Sequence, residues 1–172
     1  NPIEKYGSTC AYLLYFMKIL THMGLPITCV GLAGCLFYKL FPDEPILKGA
    51  PLLHPFISFR VVTRGMYPEL VRRNVKRNLK TCKEFGLDNF VIEVVTDRTV
   101  SLPKLAKVKE IVVPDEYCTP TGAKFKARAL QYALEKNVSI LSDEDWIVHL
   151  DEETIITKSS IIGILNFVNE KK

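Results

Sequence analysis

The sequence has 172 residues, about the length of one domain, and 48% of them are hydrophobic and 24% charged. These proportions exclude disordered, collagen-like and low-complexity chains. The 23 Lys and Arg residues and 19 Asp and Glu residues give a net charge of +4, well short of what a dedicated nucleic-acid domain carries. Five scattered cysteines without a CxxC pair argue against a disulfide scaffold or zinc knuckle and suit a reducing compartment.

The N-terminal segment is long and apolar enough to cross a membrane. Twenty residues with no formal charge lie between Lys18 and Lys39, and a hydrocarbon core of ~30 Å requires about 20 apolar residues in a helix. Aromatic side chains flank this run, as they do at membrane interfaces: Tyr12, Tyr15, Phe37, Tyr38 and Phe41. We predict a membrane segment at 1–41 that Gly24 and Pro26 can kink. A signal peptide or a buried core helix is the alternative.

The distribution of Lys and Arg predicts the orientation of this segment. Ten basic residues lie from Lys39 to Lys83, whereas only Lys5 and Lys18 lie before or on the apolar run. The positive-inside rule therefore places the C-terminal portion in the cytosol.

A folded domain is predicted after the membrane segment. Four prolines at 42–55 exclude a long helix and predict a connector. From 56 to 172, strand patterns alternate with amphipathic helical patterns, which predicts an α/β domain with a mainly parallel sheet. We expect strands at 56–62, 89–97, 108–114 and 145–151, and helices at 68–86, 122–137 and 158–170.

Polar residues follow the predicted strands, where parallel sheets bind their ligands. They are Thr63 and Arg64, Asp97, Asp115 and Glu116, and the run Asp151 to Glu153. Asp151 and Glu153 form an Asp-x-Glu pair on one short turn, and such hard oxygen ligands can hold Mg²⁺ or Mn²⁺ with positions left for phosphate oxygens. An exposed turn leading into the next helix is the alternative interpretation.

Asp97 and a group of cations complete the predicted site. A carboxylate that ends an apolar strand can accept a hydrogen bond from a nucleotide, although a turn aspartate bonded to its own backbone looks the same. Lys124, Lys126 and Arg128 lie in the first turns of the helix predicted at 122–137, where cations oppose the helix dipole. A diphosphate could use both the helix start and the cations; solvated surface side chains are the alternative.

A second basic group, from Arg72 to Lys83, occupies the face of the predicted helix 68–86 opposite Val71, Val75 and Leu79. This pattern is typical of the solvated face of an amphipathic helix. Attraction to anionic lipid is the alternative.

The runs FRVVTRG, NFVIEVVTD, EIVVP, TGAKFKARALQY and DWIVHLDEET, behind a membrane segment, resemble the egghead family of β-1,4-mannosyltransferases. The resemblance covers nearly the whole chain. It implies an inverting family 2 glycosyltransferase of the GT-A fold, in the ER or Golgi membrane. It also implies that mannose passes from GDP-mannose to the glucose of a glycolipid acceptor, glucosylceramide, with no nucleic acid involved.

The resemblance also implies roles for individual residues. Asp97 is expected to contact the guanosine. Lys126, helped by Arg64 and Arg128, is expected to neutralise the diphosphate. Asp151 and Glu153 are expected to hold Mn²⁺ or Mg²⁺. In the wider superfamily the second metal position is usually Asp, whereas it is Glu153 here.

The resemblance further implies that the catalytic base and a Gln-x-x-Arg-Trp motif lie beyond Lys172. Because the chain begins with Asn1 and ends directly after an apolar helical pattern, we expect it to be the N-terminal part of a longer protein. Residues 1–172 alone are expected to bind nucleotide weakly and not to transfer sugar. A membrane-anchored nucleotide-binding or scaffold module without catalysis is the main alternative. An aspartyl phosphatase is a weaker one, because Glu153 stands where that motif has Asp and no Gly follows.

Overall fold

The computed structural model describes residues 2–38, 44–48 and 54–171. The chain divides into two compact units, Asn1–Glu44 and Pro45–Lys172. The predicted end of the membrane segment at 41, and residues 42, 43 and 49–53 of the predicted connector, lie outside the described residues.

The first unit consists of helices α1 (Pro2–Tyr6), α2 (Ser8–His22) and α3 (Gly24–Phe37). Within the described residues, Ser8–Phe37 is the one helical segment long and apolar enough to cross a membrane, with a mean hydropathy of 1.6. None of the α3 side chains is buried, and a helix that is apolar all round is typical of a membrane span.

Between α2 and α3, Met23 keeps helical backbone angles (φ −62°, ψ −21°). The helix is interrupted at Met23, three residues before Pro26. Pro26 lacks the backbone N–H that would otherwise bond to the His22 carbonyl. Hydroxyl groups in this segment are satisfied by the helix itself, since Thr28 Oγ1 donates to the Gly24 carbonyl at 2.9 Å. Such internal pairing is what a hydrocarbon environment requires.

The second unit is built on a parallel sheet of four strands: β1 (Ile57–Thr63), β2 (Phe90–Thr96), β3 (Val108–Val112) and β4 (Trp146–Asp151). The strand order is β3-β2-β1-β4. The predicted parallel α/β sheet is therefore confirmed. The chain winds outward from β1 to β3 and then returns to β4 on the other side of β1. The winding reverses between β1 and β4, and such a switch point opens a crevice at the carboxyl ends of the strands.

Helices cover both faces of the sheet. On one face, α4 (Pro68–Phe85) and α6 (Lys158–Glu170) bury the alternate apolar residues of β1 and β2. On the other face, Ala129 of α5 (Phe125–Tyr132) and Ala133, directly after this helix, pack against Val62 and Val95. Because successive side chains of a strand point to opposite faces of the sheet, there is a hydrophobic core on each side of it.

Local sequence explains the bounds of α4. Pro68 suits the first helical turn, where no N–H is needed. Gly86 takes the left-handed conformation (φ 84°) that ends the helix, and the Leu87 N–H donates to the Cys82 carbonyl at 3.0 Å. Burial of Cys82 raises the pKa of its thiol to about 12, so this cysteine is a core residue and not a reactive one.

The helix predicted at 122–137 is shorter than expected, because α5 spans only Phe125–Tyr132. Gly122 (φ 69°), before α5, and Phe125 (φ 56°), its first residue, adopt left-handed backbone angles that prevent the helix from starting earlier. After it, the chain tightens into turns in which the Leu134 N–H donates to the Gln131 carbonyl and the Glu135 N–H to the Tyr132 carbonyl. Lys124 consequently precedes the first turn, while Lys126 and Arg128 lie within it.

A buried ion pair crosses the middle of the sheet on the α5 face. Arg60 of β1 and Glu93 of β2 are register partners, and both side chains are 0% exposed. Arg60 donates to Glu93 Oε2 from Nε (3.0 Å) and Nη2 (2.7 Å), and the Ser58 hydroxyl donates to the same oxygen at 2.8 Å. Within the described residues, Arg60 Nη1 and Glu93 Oε1 have no hydrogen-bond partner.

Candidate functional site

A cavity of about 370 Å³ lies at the carboxyl ends of the strands, beside the switch point between β1 and β4. Its walls come from the β1–α4 loop, the residue after β2, the start of α5 and the turn after β4. They include Thr63, Arg64, Tyr67, Asp97, Phe125, Lys126, Glu152 and Glu153. Most of the side chains predicted for a donor and metal site therefore meet around one cavity.

Lys126 of α5 contacts the end of β4. Its ammonium forms an ion pair with Asp151 Oδ1, and both side chains are more than half exposed. The hydrogen bond to Asp151 raises the pKa of Lys126, burial opposes this rise, and the charges of Asp151, Glu153 and Glu152 add to it. Lys126 is therefore held as a cation against the three carboxylates of the turn.

The three carboxylates have different surroundings. Glu152 accepts a hydrogen bond from the Thr63 hydroxyl, which also accepts one from the Gly65 N–H at 3.0 Å. Glu153 is exposed, and it has no hydrogen bond or ion pair with the part of the chain that the structure describes. Glu152, which lies between the two predicted metal ligands, is thus bonded to Thr63 of β1. Asp151 and Glu153 remain accessible to solvent.

The carboxylate turn could supply two of the ligands of a metal ion, but not a complete set. Over the described ranges 2–38, 44–48 and 54–171, no group of three or more His, Cys, Asp or Glu side chains could hold a metal. Asp151 and Glu153 would supply two carboxylates, and Mg²⁺ commonly takes one or two from a protein and completes its shell with substrate phosphates and water. The residues present do not fit a metal caged by protein alone.

Arg128 contacts Asp97 from outside the cavity lining and is engaged by protein groups. Its Nη1 is 2.9 Å from Asp97 Oδ1, and its Nε donates to the Tyr117 carbonyl at 2.9 Å. Its Nη2 donates to the carbonyls of Pro114 and Asp115. Arg128 does not line the cavity, whereas Asp97 does. The geometry therefore makes Arg128 a residue that fixes Asp97 and the segment 114–117.

Arg64 lies over an aromatic ring at the cavity entrance. Its guanidinium carbon is 4.9 Å from the centroid of the Phe125 ring, which is 64% exposed. Tyr67, 63% exposed, lines the same cavity. Arg64 is thus within the cavity wall, together with two exposed aromatic rings.

Gly65 allows the β1–α4 loop to pass close to the end of β2. It has φ 75°, and a Cβ there would lie 2.5 Å from the Arg98 carbonyl oxygen and 2.9 Å from Thr96 Oγ1. Gly86 has a similar φ of 84°, but a Cβ there would meet no atom within 4 Å. Alanine substitutions at the two positions can therefore distinguish the free-energy cost of the left-handed backbone angle from the cost of a steric clash.

We expect Gly65→Ala to lower the melting temperature of the protein more than Gly86→Ala does. A left-handed angle costs a residue with Cβ about 1–2 kcal/mol, and only at Gly65 must the backbone also move. Thermal unfolding of the two variants measures the difference. Because the moved loop carries Arg64 in the cavity wall, Gly65→Ala should also change the shape of the cavity, whereas Gly86→Ala should not. Equal melting temperatures would contradict this account of Gly65.

Two asparagines that the sequence analysis did not identify hold the carboxylate turn. Asn74 Nδ2 donates to the Glu152 carbonyl at 2.9 Å, and Asn78 Nδ2 donates to the Thr154 carbonyl at 3.0 Å. Asn78 Oδ1 accepts from the Ile156 N–H at 2.9 Å. Both asparagines lie among the buried apolar residues of α4. Polar residues in the apolar stripe of a helix indicate buried hydrogen bonds, and this signal could have revealed them.

Comparison with known proteins identifies homologues along the whole chain. The chain is 54% identical over 172 residues to β-1,4-mannosyltransferase egh of Drosophila melanogaster and 50% identical over 175 residues to β-1,4-mannosyltransferase bre-3 of Caenorhabditis elegans. Each match covers 100% of this chain and 38% of the relative, so the chain spans well under half the length of these proteins. No protein-family model matches the chain, and no solved structure matches it significantly. Over its full length the chain is thus similar to β-1,4-mannosyltransferases of the egghead family, in agreement with the resemblance of its motifs.

Proposed function

We propose that the full-length protein transfers mannose from GDP-mannose to the glucose of glucosylceramide, with a β-1,4 linkage and inversion at the sugar carbon. The observation that carries the proposal is the convergence of Asp97, Lys126, Asp151 and Glu153 at one end of a parallel sheet, three of them around one cavity. The relatives that match the chain along its whole length are named β-1,4-mannosyltransferases. The cavity volume of about 370 Å³ is within the range of small-ligand sites.

In this proposal Asp97 binds the nucleoside. Arg128 engages Asp97 Oδ1 and fixes the orientation of the carboxylate, which leaves Oδ2 to accept a hydrogen bond from the base or ribose. The Phe125 and Tyr67 rings, exposed in the cavity wall, offer flat apolar surface to the same part of the donor.

The diphosphate belongs at the other end of the cavity. Lys126 holds its positive charge beside Asp151, and Arg64 adds a second cation in the wall. Asp151 and Glu153 would hold the divalent ion, which when bound offsets the charge that develops on the leaving diphosphate. Lys126 and Arg64 contribute to the same stabilisation from the protein side.

Inversion requires one in-line displacement at the sugar carbon. The bond from the acceptor hydroxyl oxygen forms as the bond to the diphosphate oxygen breaks, and the hydroxyl proton passes to a base. Asp97, Asp151 and Glu153 are committed to the donor and the metal in this proposal, so we assign the base to none of them. In the same proposal, Ser8–Phe37 crosses an ER or Golgi membrane and the second unit lies in the cytosol, where the basic residues that follow the span favour it.

A transfer assay on the full-length protein tests the proposal. We expect a β-mannosylated product, identified by mass spectrometry, from GDP-mannose and glucosylceramide in the presence of Mn²⁺. Chelation of the metal should abolish the product, and UDP-glucose should not replace the donor. Calorimetry should show that GDP binding also depends on Mn²⁺.

Two other outcomes would contradict the proposal. A scaffold predicts no GDP binding with or without metal, because it has no need of aligned carboxylates. A phosphatase predicts hydrolysis of a generic aryl phosphate and no sugar transfer.

A further inference from the structure

The outward surface of α4 carries a concentration of positive charge. The helix has six cations and two carboxylates, a net charge of +4, which equals the formal charge of the whole chain. Five of the cations are exposed along one side at helical spacing and form what we call the basic face of α4: Arg73, Lys76, Arg77, Lys80 and Lys83. All other residues together carry no net charge.

Little of this charge is neutralised within the described residues. Lys80 lies 3.6 Å from Glu84, while the other four side chains of the basic face have no ion pair there. By contrast Arg72, at the margin of the face, is engaged by Glu69 and by the Val100 carbonyl. Like charges three and four residues apart repel one another on a helix. An anionic partner would relieve this repulsion.

The basic face also borders apolar surface. A shallow groove of about 550 Å³ runs between the long side chains and has Leu79 and Leu105 in its wall. Lys and Arg can lay their hydrocarbon stems on such a surface while their charged ends reach outward. A layer of phosphates above an apolar interior matches this combination of apolar wall and cationic rim.

The same chain places a membrane within reach of α4. The apolar segment Ser8–Phe37 is separated by residues 38–56 from β1, the strand that leads into α4, and a connector of that length spans at most about 65 Å when fully extended. A helix tethered so closely meets the bilayer surface at high effective concentration. A nucleic acid is a less favoured partner, because it would not be tethered to the chain. The residues outside α4 also contribute no net positive charge that would attract it.

We infer that the basic face of α4 docks on the anionic lipid headgroups of the membrane that holds Ser8–Phe37. The docking is electrostatic, so it strengthens with the share of anionic lipid and weakens with salt. It does not depend on mannosyl transfer.

Labelling of lysines in the full-length protein tests this inference. The protein is reconstituted into phosphatidylcholine vesicles with and without phosphatidylserine, and an amine-reactive reagent is read out by mass spectrometry. We expect phosphatidylserine to reduce labelling of Lys80 and Lys83 roughly threefold or more, and high salt to restore it. Labelling of Lys136, exposed in the turns after α5, should not change.

A pair of triple variants controls for total charge. Arg73→Gln, Lys76→Gln and Arg77→Gln together should remove the protection of Lys80 and Lys83. Lys136→Gln, Lys158→Gln and Lys171→Gln remove the same charge from exposed positions outside α4 and should leave the protection intact. All six positions are exposed, so folding should be retained. Equal labelling with and without phosphatidylserine, or protection that survives high salt, would overturn the inference.

Discussion

Replacing Asp151 with asparagine is expected to lower turnover by the full-length protein about a hundredfold or more, the usual cost of losing a group that stabilises developing charge. The substitution keeps the shape of the side chain but removes the charge that faces Lys126 and, in our proposal, the metal. Mn²⁺-dependent GDP binding should weaken in parallel. Initial rates of mannosyl transfer and calorimetry with GDP measure the two effects.

Stability measurements separate this loss from unfolding. The ion pair between Asp151 and Lys126 is more than half exposed on both sides, so removing it should change the free energy of unfolding by less than about 1 kcal/mol. Asp143→Asn is the matched control, because Asp143 is an exposed acid before the amino end of β4. Turnover that survives Asp151→Asn, or falls equally with Asp143→Asn, would exclude the proposed role of Asp151.

Replacing Arg60 with methionine is expected to destabilise the second unit by about 3–5 kcal/mol. The side chains of Arg60 and Glu93 are both fully buried, and removal of one partner leaves an uncompensated charge in the sheet. Thermal or denaturant unfolding, followed by the fluorescence of Trp146 in β4, measures the effect. Lys136→Met, the same change at an exposed position, should alter stability by no more than about 0.5 kcal/mol.

A double variant identifies the charge as the cause. In Arg60→Met with Glu93→Gln no buried charge remains, and the amide oxygen can still accept the hydrogen bond from Ser58. We therefore expect the double variant to be more stable than Arg60→Met alone. If the two destabilisations simply added, the loss would come from packing and not from the unpaired carboxylate.

Much of the fold could be predicted from the sequence because its signals are local. Helix α6 begins at Lys158 and ends at Glu170, as predicted, and the Thr157 hydroxyl caps it by accepting from the Ser160 N–H. Strands β1, β2 and β4 begin and end within one residue of their predicted bounds, whereas β3 ends at Val112 and not at 114. Apolar runs bounded by turns and caps carry this information.

The early end of α5 could not be predicted in the same way. The sequence after Tyr132 continues a helical pattern, but the backbone there makes turns, and Ala133 is buried against the sheet where its carbonyl accepts from Arg60. The pairing of Arg60 with Glu93 likewise depends on the register between β1 and β2. Contacts between distant segments decide both features, and periodicity within one segment does not contain them.

The site residues show the same difference between local sequence patterns and contacts between distant segments. The ends of β2 and β4 could be recognised from sequence, because a polar residue after an apolar strand is a local pattern. The bond between Arg128 and Asp97 and the bond between Thr63 and Glu152 join residues far apart in the chain. Sequence reasoning therefore found which residues gather at the sheet edge, but not which of them hold one another.

The hydrogen bonds from Asn74 and Asn78 attach the turn after β4 to helix α4. Asp97 is attached instead to Arg128, whose other contacts are with the backbone of 114–117. The two ends of the cavity thus belong to different supports. Core residues such as Val71 and Val75 pack α4 against the sheet, so they help to set the distance between the two ends of the cavity although they do not line it.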